Sequence, residues 1–394
     1  MAGKTVVAVD PLLPIVDIIT LLQSMDVEAV FTDEEDKKLR KAIEEAGISY
    51  YQYLNEEALS GCTMSDPHEE GDIIVFTSGT SGRAKGVVVP FEATYRNGEA
   101  MIESVGVGIE GNMYTPLPLH HMYATVMILL YLYKGKTVYL GNPRKILEEM
   151  AYFKPAVCVV VSAMVEFLLK NNAVGDWGRL FTVAGAKCDK SLEQKVVEAG
   201  MHLQNIYGAS ETAGVIGVNA LNEGIERVSA LKGIKVTLEK EGEIAIQTPY
   251  HLKEYYKNPE ATADVIRNGK IYLGDIGELF EDGAFSPLGR KQDVIAMSNG
   301  NKLYCDEMDE EITAIDGIEE ACVIYSCGKV VAVVVCEAGA EEASVKKNLK
   351  QYNKKQPYFR KLDEIWMRNE PLPRAGIGKL KRNALIKEYE LGGE

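Results

Sequence analysis

Short apolar runs recur through the first half of the chain, at 5–9, 29–32, 73–77, 137–140, 156–161 and 180–184, and the stretches between them carry apolar residues at helical spacing. Strand-sized runs alternating with helices are the pattern of βαβ units around a largely parallel sheet, so an α/β fold is expected. After residue 208 the segments shorten and fill with glycine and turn residues, and in KVTLEKEGEIAIQT at 235–248 apolar and polar positions alternate. That period predicts half-buried strands and a small antiparallel sheet or barrel. A further change follows PLGRKQDV at 287–294. A helix at 306–315, strands at 321–325 and 330–336 and a helix at 342–355 then predict an α+β domain of ordinary size. The expected organisation is an α/β subdomain over 1–206, a small β-rich subdomain over 207–289 and a C-terminal α+β domain over 290–394.

Composition narrows the picture. With 394 residues, 46% of them apolar and 26% charged, the chain can build two or three cores, which excludes disorder. The apolar stretch at 12–22 carries Asp17 and is too short to cross a bilayer, and no leader-like pattern precedes it. A cytoplasmic protein without a membrane span is expected. Seven scattered cysteines, none in CxxC spacing, and five histidines argue against a disulfide framework or a structural metal. A net charge of −15 argues against nucleic acid as partner. The charge is uneven, however: from Ser344 onward thirteen Lys and Arg face six Asp and Glu. This basic piece reads either as a solvated helical face or as a docking surface for an anionic partner.

The most chemically suggestive stretch is TSGTSGRAKG at 77–86, which follows the apolar strand DIIVF. Glycine lets backbone N–H groups turn toward an anion, Thr77, Ser78, Thr80 and Ser81 add hydroxyls, and Lys85 adds a cation. It is not a Walker loop, because Lys85 comes three residues after Gly82 and precedes Gly86. Taken alone, such a segment is more often a surface linker than a site.

Its company settles the matter. The chain resembles the adenylate-forming superfamily of acyl- and aryl-CoA synthetases, luciferases and adenylation domains. The resemblance is carried by this loop, where Ala84 replaces the usual Pro, and by PLPLHHMYA (116–124), VAGAKC (183–188), YGASETAG (207–214), GEIAI (242–246), YYKNPEAT (255–262), LGDIGELFEDG (273–283), GRKQDVIAMSNGNKLYCDEMDEEI (289–312) and PLPRAGIGKLKR (371–382), in the family's order. It implies the adenylate-forming fold with a mobile C-terminal domain, and a reaction in which a carboxylic acid attacks the α-phosphorus of ATP with release of pyrophosphate.

Residue by residue, the resemblance assigns the phosphate loop to Thr77, Ser78, Gly79, Thr80, Ser81, Gly82 and Lys85. Mg²⁺ falls to Glu211 with Thr80. Adenine stacking falls to Tyr207 over a floor of Gly185 and Ala186, with Gly208 and Ser210 beside it. Asp275 would accept from the ribose hydroxyls, Arg290 would bind nucleotide near the domain junction, and Lys379 would bridge carboxylate and α-phosphate as the catalytic cation. His121 matches a family histidine near the acyl carboxylate, and pocket lining suits it better than acid–base work because no nucleophile motif accompanies it.

Some positions depart from the family. Leu273 stands where a Thr is usual, Gln292 occupies the hinge, and the first thirty residues resemble a segment that normally lies about a hundred residues in. The wall over the acyl pocket is then expected to be missing, to be supplied by a homodimer or another partner, or to leave the site open. The expected activity is an AMP-forming ligase using ATP, Mg²⁺ and CoA on a carboxylic acid, fatty or aryl. The alternatives are a ligase that loads an acyl carrier protein and a homologue that binds nucleotide or acyl ligand without turnover.

Overall fold

The computed structural model describes residues 4–32, 36–52, 71–78, 84–105, 111–173, 180–185, 188, 190–219, 221, 224–296, 302–375 and 379–392, and for a few of these, Ser78 and Lys379 among them, the backbone alone. Its centre is one long sheet. Val138–Leu140, Met113–Thr115, Val157–Val160, Leu180–Val183 and His202–Ala209 lie side by side in parallel. Both faces of Met113–Thr115, Val157–Val160 and Leu180–Val183 are buried, and successive side chains feed different cores. Val157 and Val159 face the helices Phe91–Val105 and Met122–Tyr133, whereas Cys158 and Val160 face Ile146–Phe153, Ser162–Lys170 and Lys190–Glu198. Burial on two sides makes these strands read as unbroken apolar runs. The helix MYATVMILLYLY is apolar on nearly every side for the same reason. Among the described residues no helix is long and apolar enough to cross a membrane.

Past Ala209 the sheet turns antiparallel and continues through Gly214–Asn219, Val228–Ala230, Phe285–Arg290, Lys270–Leu279, Glu243–Gln247 and Lys235–Leu238. The antiparallel part expected from alternation is present, and it is joined edge to edge to the parallel part. The strand Asp72–Ser78 departs from the sequence expectation. It lies in a separate four-stranded sheet, parallel to Val6–Val7 and antiparallel to Ala84–Pro90, so the strands on either side of the phosphate-loop stretch pair as the arms of a β-hairpin. An apolar run cannot reveal which sheet it will join.

The C-terminal stretch has its own sheet, with Ile318–Ser326 antiparallel to Lys329–Cys336 and Glu364–Arg368 added in parallel. Helices Cys305–Thr313 and Glu342–Lys355 pack through Met308, Ile312, Val345 and Leu349. A buried ion cluster ties the chain end to this unit. Arg382, 8% exposed at the start of the helix Arg382–Gly392, reaches Asp309 at 2.8 Å, Asp293 at 3.6 Å, Asp306 and the carbonyl of Val323. Burial pushes the Asp309 carboxyl up against the opposing pull of Arg382. Removing one partner from such a set strands buried charge, at a cost of about 3–5 kcal/mol. Arg382→Leu is therefore expected to lower unfolding free energy by about that amount in urea titrations. A loss under about 1 kcal/mol would show that the cluster is solvated.

Candidate active site

The hairpin, the sheet switch and the first antiparallel strands converge on one group of side chains. Thr77 and Lys85 sit opposite each other across the hairpin. Lys85 Nζ lies 5.0 Å from the centre of the Tyr255 ring, over its face, where a cation is attracted by the π system. The Tyr255 hydroxyl donates to Glu211 Oε1 at 2.7 Å, and burial together with that carboxylate raises the phenol above its ordinary range. One tyrosine thus holds the candidate loop lysine and the candidate metal ligand in register.

Local chemistry explains where Tyr255 sits. Asn258 caps the helix Pro259–Val265 through its side chain, with Pro259 at the first position where a missing N–H costs nothing. Thr262 on that helix accepts from the Tyr255 backbone N–H at 2.9 Å. The motif YYKNPEAT therefore works as a bracket for its own first tyrosine. No role was expected for Tyr255 from sequence, although the N-P-x-x-T spacing beside it was a signal.

Glu211 lies on a single 3₁₀ turn, Ser210–Thr212, between the strands His202–Ala209 and Gly214–Asn219. Tight backbone contact shapes this turn. A Cβ on Gly208 would meet the Gly214 carbonyl oxygen at 2.0 Å, so only glycine fits there, and Ala213 adopts the left-handed region at φ 55°. Buried Asn97 clamps the next residue, donating to the Val215 carbonyl at 2.7 Å and accepting from its N–H at 2.8 Å. Asn97 too was missed, since a polar residue inside a helical run shows no sign of a partner 118 positions away.

Beside the turn, Tyr207 donates to Asp275 Oδ2 at 2.6 Å while Arg290 Nε approaches Asp275 Oδ1 at 3.0 Å. Arg290 also donates to the Leu273 carbonyl at 2.6 Å. The position without the usual Thr is thus used through its backbone. Burial opposes the Arg290 charge, but Asp275, Tyr207 and Glu211 outweigh it and raise its pKa. The Tyr207 phenol is raised by burial and by Asp275, and its ring meets Phe285 edge-on at 5.5 Å. An ionised carboxylate offers about four lone-pair directions, so Asp275 can take ligand hydroxyls in addition to these two donors.

His121 forms the N-terminal boundary of the helix Met122–Tyr133, with its ring 4.4 Å from that of His120. Burial, and then the neighbouring His120, depress its pKa to about 4, only partly offset by Asp10. It is neutral at pH 7. Gly185 lies exposed beyond the end of Leu180–Val183, and Gly208 and Ser210 flank the turn. Gly79, Thr80, Ser81, Gly82 and Ala186 lie outside the described residues, and Lys379 is described by its backbone alone, in a two-residue strand with Leu380.

Thr77 and the cation of Lys85 on the hairpin strands, close to Glu211 and Asp275, each bonded by a tyrosine, are chemistry suited to a nucleotide on an α/β fold. Comparison with known proteins narrows the class. The model of the AMP-binding enzyme family matches residues 1–256, and the chain belongs to that family. It is 25% identical to a 2-succinylbenzoate–CoA ligase of Oceanobacillus iheyensis, over 98% of this chain and 84% of that one. It is 26% identical to a long-chain-fatty-acid–CoA ligase of Escherichia coli O157:H7, over 81% of this chain and 62% of that one. In fold it resembles ATP-bound MatB from Rhodopseudomonas palustris, with a TM-score of 0.84 at 21% identity over 98% and 88% of the two chains. O-succinylbenzoate coenzyme A synthetase from Bacillus subtilis, solved with AMP, gives 0.80 at 19% over 97% and 87%.

The depressed His121 pKa carries a testable sign. A base with a folded pKa near 4 and an unfolded value near 6.5 contributes stability above pH 6.5 that is lost as pH falls toward 4. The loss is up to about 3 kcal/mol at 1.36 kcal/mol per unit. Urea unfolding at pH 7 and pH 4.5 should show a smaller drop in His121→Gln than in the parent. Equal drops would mean that the ring is protonated in the folded protein.

Proposed function

We propose that the chain is an AMP-forming acid–thiol ligase that activates a fatty or aryl carboxylic acid as its acyl adenylate and passes the acyl group to CoA. The observation that carries this reading is the pairing of Tyr255 with both Lys85 and Glu211, beside the Tyr207–Asp275–Arg290 cluster. It supports a reading in which Glu211 and Asp275 serve a nucleotide whose phosphates fall to the loop that carries Thr77 and Lys85.

In the first half-reaction a carboxylate oxygen of the acid bonds to the α-phosphorus, and the bond to pyrophosphate breaks. Thr77, Ser78, Thr80, Ser81 and Lys85 hold the leaving phosphates, Tyr207 over Gly185 and Ala186 takes the adenine, and Asp275 with Arg290 fixes the ribose. Among the described residues no group of three or more His, Cys, Asp or Glu could hold a metal. That fits Mg²⁺, which takes one or two carboxylates and completes its shell from phosphates and water. Glu211 would hold it, since Tyr255 is bonded to one carboxylate oxygen, with Thr80 in support. When bound, Mg²⁺ neutralises charge growing on the phosphates. Neutral His121 lines the acid's approach without repelling or trapping its carboxylate, and Lys379 supplies the mobile cation between carboxylate and phosphate.

In the second half-reaction the CoA sulfur attacks the acyl carbonyl and AMP leaves. A C-terminal domain over 290–394 would rotate about Gln292, which is exposed in the turn Lys291–Asp293. The lysine-rich helix Glu342–Lys355 suits the phosphates of CoA, or the acidic face of an acyl carrier protein as the alternative acceptor. ATP–pyrophosphate exchange with a panel of fatty and aryl acids should be Mg²⁺-dependent and fall by about 10²-fold or more in Lys379→Ala and Glu211→Gln. If no acid supports exchange while the folded protein binds ATP, the non-catalytic alternative replaces this one. Mass spectrometry of products formed with CoA and with carrier protein identifies the acceptor.

A further inference from the structure

Gln204 is wholly buried, and among the described residues neither its amide nitrogen nor its amide oxygen has a partner. A buried amide without partners loses its hydration and gains nothing in return, so its presence calls for a reason. It faces a cavity of about 10 Å³ lined by Met101, Met127, Leu130, Tyr131, Val157 and Thr182 among others. That space holds about one water, and two methionines, the most adaptable apolar side chains, form part of its wall.

The cavity lies beneath the candidate site. Gln204 pairs in register with Thr182, which stands three residues before Gly185, roughly 10 Å down the strands from their site end. Tyr123, two positions after His121, donates to Thr182 Oγ1 at 2.8 Å, so the helix that follows His121 is pinned to the strand Leu180–Val183. Met127, Leu130 and Tyr131, further along this helix, line the cavity with Thr182 and Gln204, so an acid lying along the helix from His121 would have its far end directed at Gln204. Among the described residues no charged side chain lines the cavity, so a charged group there would be uncompensated. A neutral group that donates or accepts would satisfy the amide.

We propose that Gln204 forms the floor of the acid pocket and selects a carboxylic acid whose far end carries a neutral hydroxyl or oxo group over its plain hydrocarbon counterpart. This rests on the ligase reading for the carboxylate end, and on Gln204 alone for the far end.

Pyrophosphate release with octanoate against 8-hydroxyoctanoate, and 3-phenylpropanoate against 3-(4-hydroxyphenyl)propanoate, tests it in the parent and in Gln204→Leu. The parent is expected to favour the oxygenated member of a pair by about tenfold or more in kcat/KM, and Gln204→Leu to erase or reverse that ratio. Equal use of both members, or a ratio unchanged by the substitution, overturns the proposal. Thermal unfolding gives an arm independent of turnover. Ligand-free Gln204→Leu should melt about 2–4 °C above the parent. With ATP present the hydroxylated acids should raise Tm more than their partners only in the parent. A lower Tm for the variant means that the amide is satisfied inside the fold, as by one bound water, and overturns the proposal. Failure of the ligase reading looks different: no acid releases pyrophosphate in either protein, while the melting arm still reports on Gln204.

Discussion

Asp275 is the side chain on which the site's geometry hangs. One oxygen takes the phenol of Tyr207 from the strand where the sheet changes from parallel to antiparallel, and the other takes Arg290 from the strand that leads out of it. A carboxylate 8% exposed would be costly alone. The two donors offset that cost and, in doing so, fix the end of the parallel sheet against the antiparallel strands and the approach to the C-terminal unit. Tyr255 repeats the device on the other side, carrying Glu211 on its hydroxyl and Lys85 over its ring. Each tyrosine turns a pair of charges into a fixed geometry, and fixed dipoles need no rearrangement as charge develops.

The backbone beneath these charges is crowded. Gly208 has no room for a side chain, Ala213 holds a left-handed conformation, and Asn97 stitches Val215 in place. Strain concentrated in one turn persists only where the surroundings determine it. Here they do, through the buried strand Gly214–Asn219 on one side and the helix Phe91–Val105 on the other. Glu211 is thereby carried on a short turn that behaves as part of the sheet.

Much of this was legible in the chain. Runs such as 156–161 became the strand Val157–Val160 because burial on two faces leaves a continuous apolar signal, and the helix at 342–355 was read at its observed bounds. Tyr207, Glu211, Asp275 and Arg290, placed by motif, do come together. What escaped depends on long-range pairing. The hairpin at 72–90, the clamp of Asn97 and the bridge made by Tyr255 each join residues whose local sequence says nothing of the partner. Gln204 was hidden differently, since one glutamine in the strand HLQNIYGA has no pattern to break.

The Asp275 cluster is best tested by AMP affinity measured calorimetrically in the parent, Tyr207→Phe, Asp275→Asn and the double variant. A shared ribose seat predicts that Asp275→Asn weakens AMP by about tenfold or more and that adding Tyr207→Phe costs little further, a coupling of about 1–3 kcal/mol. Parent-like affinity in Asp275→Asn, or losses that simply add, would contradict it.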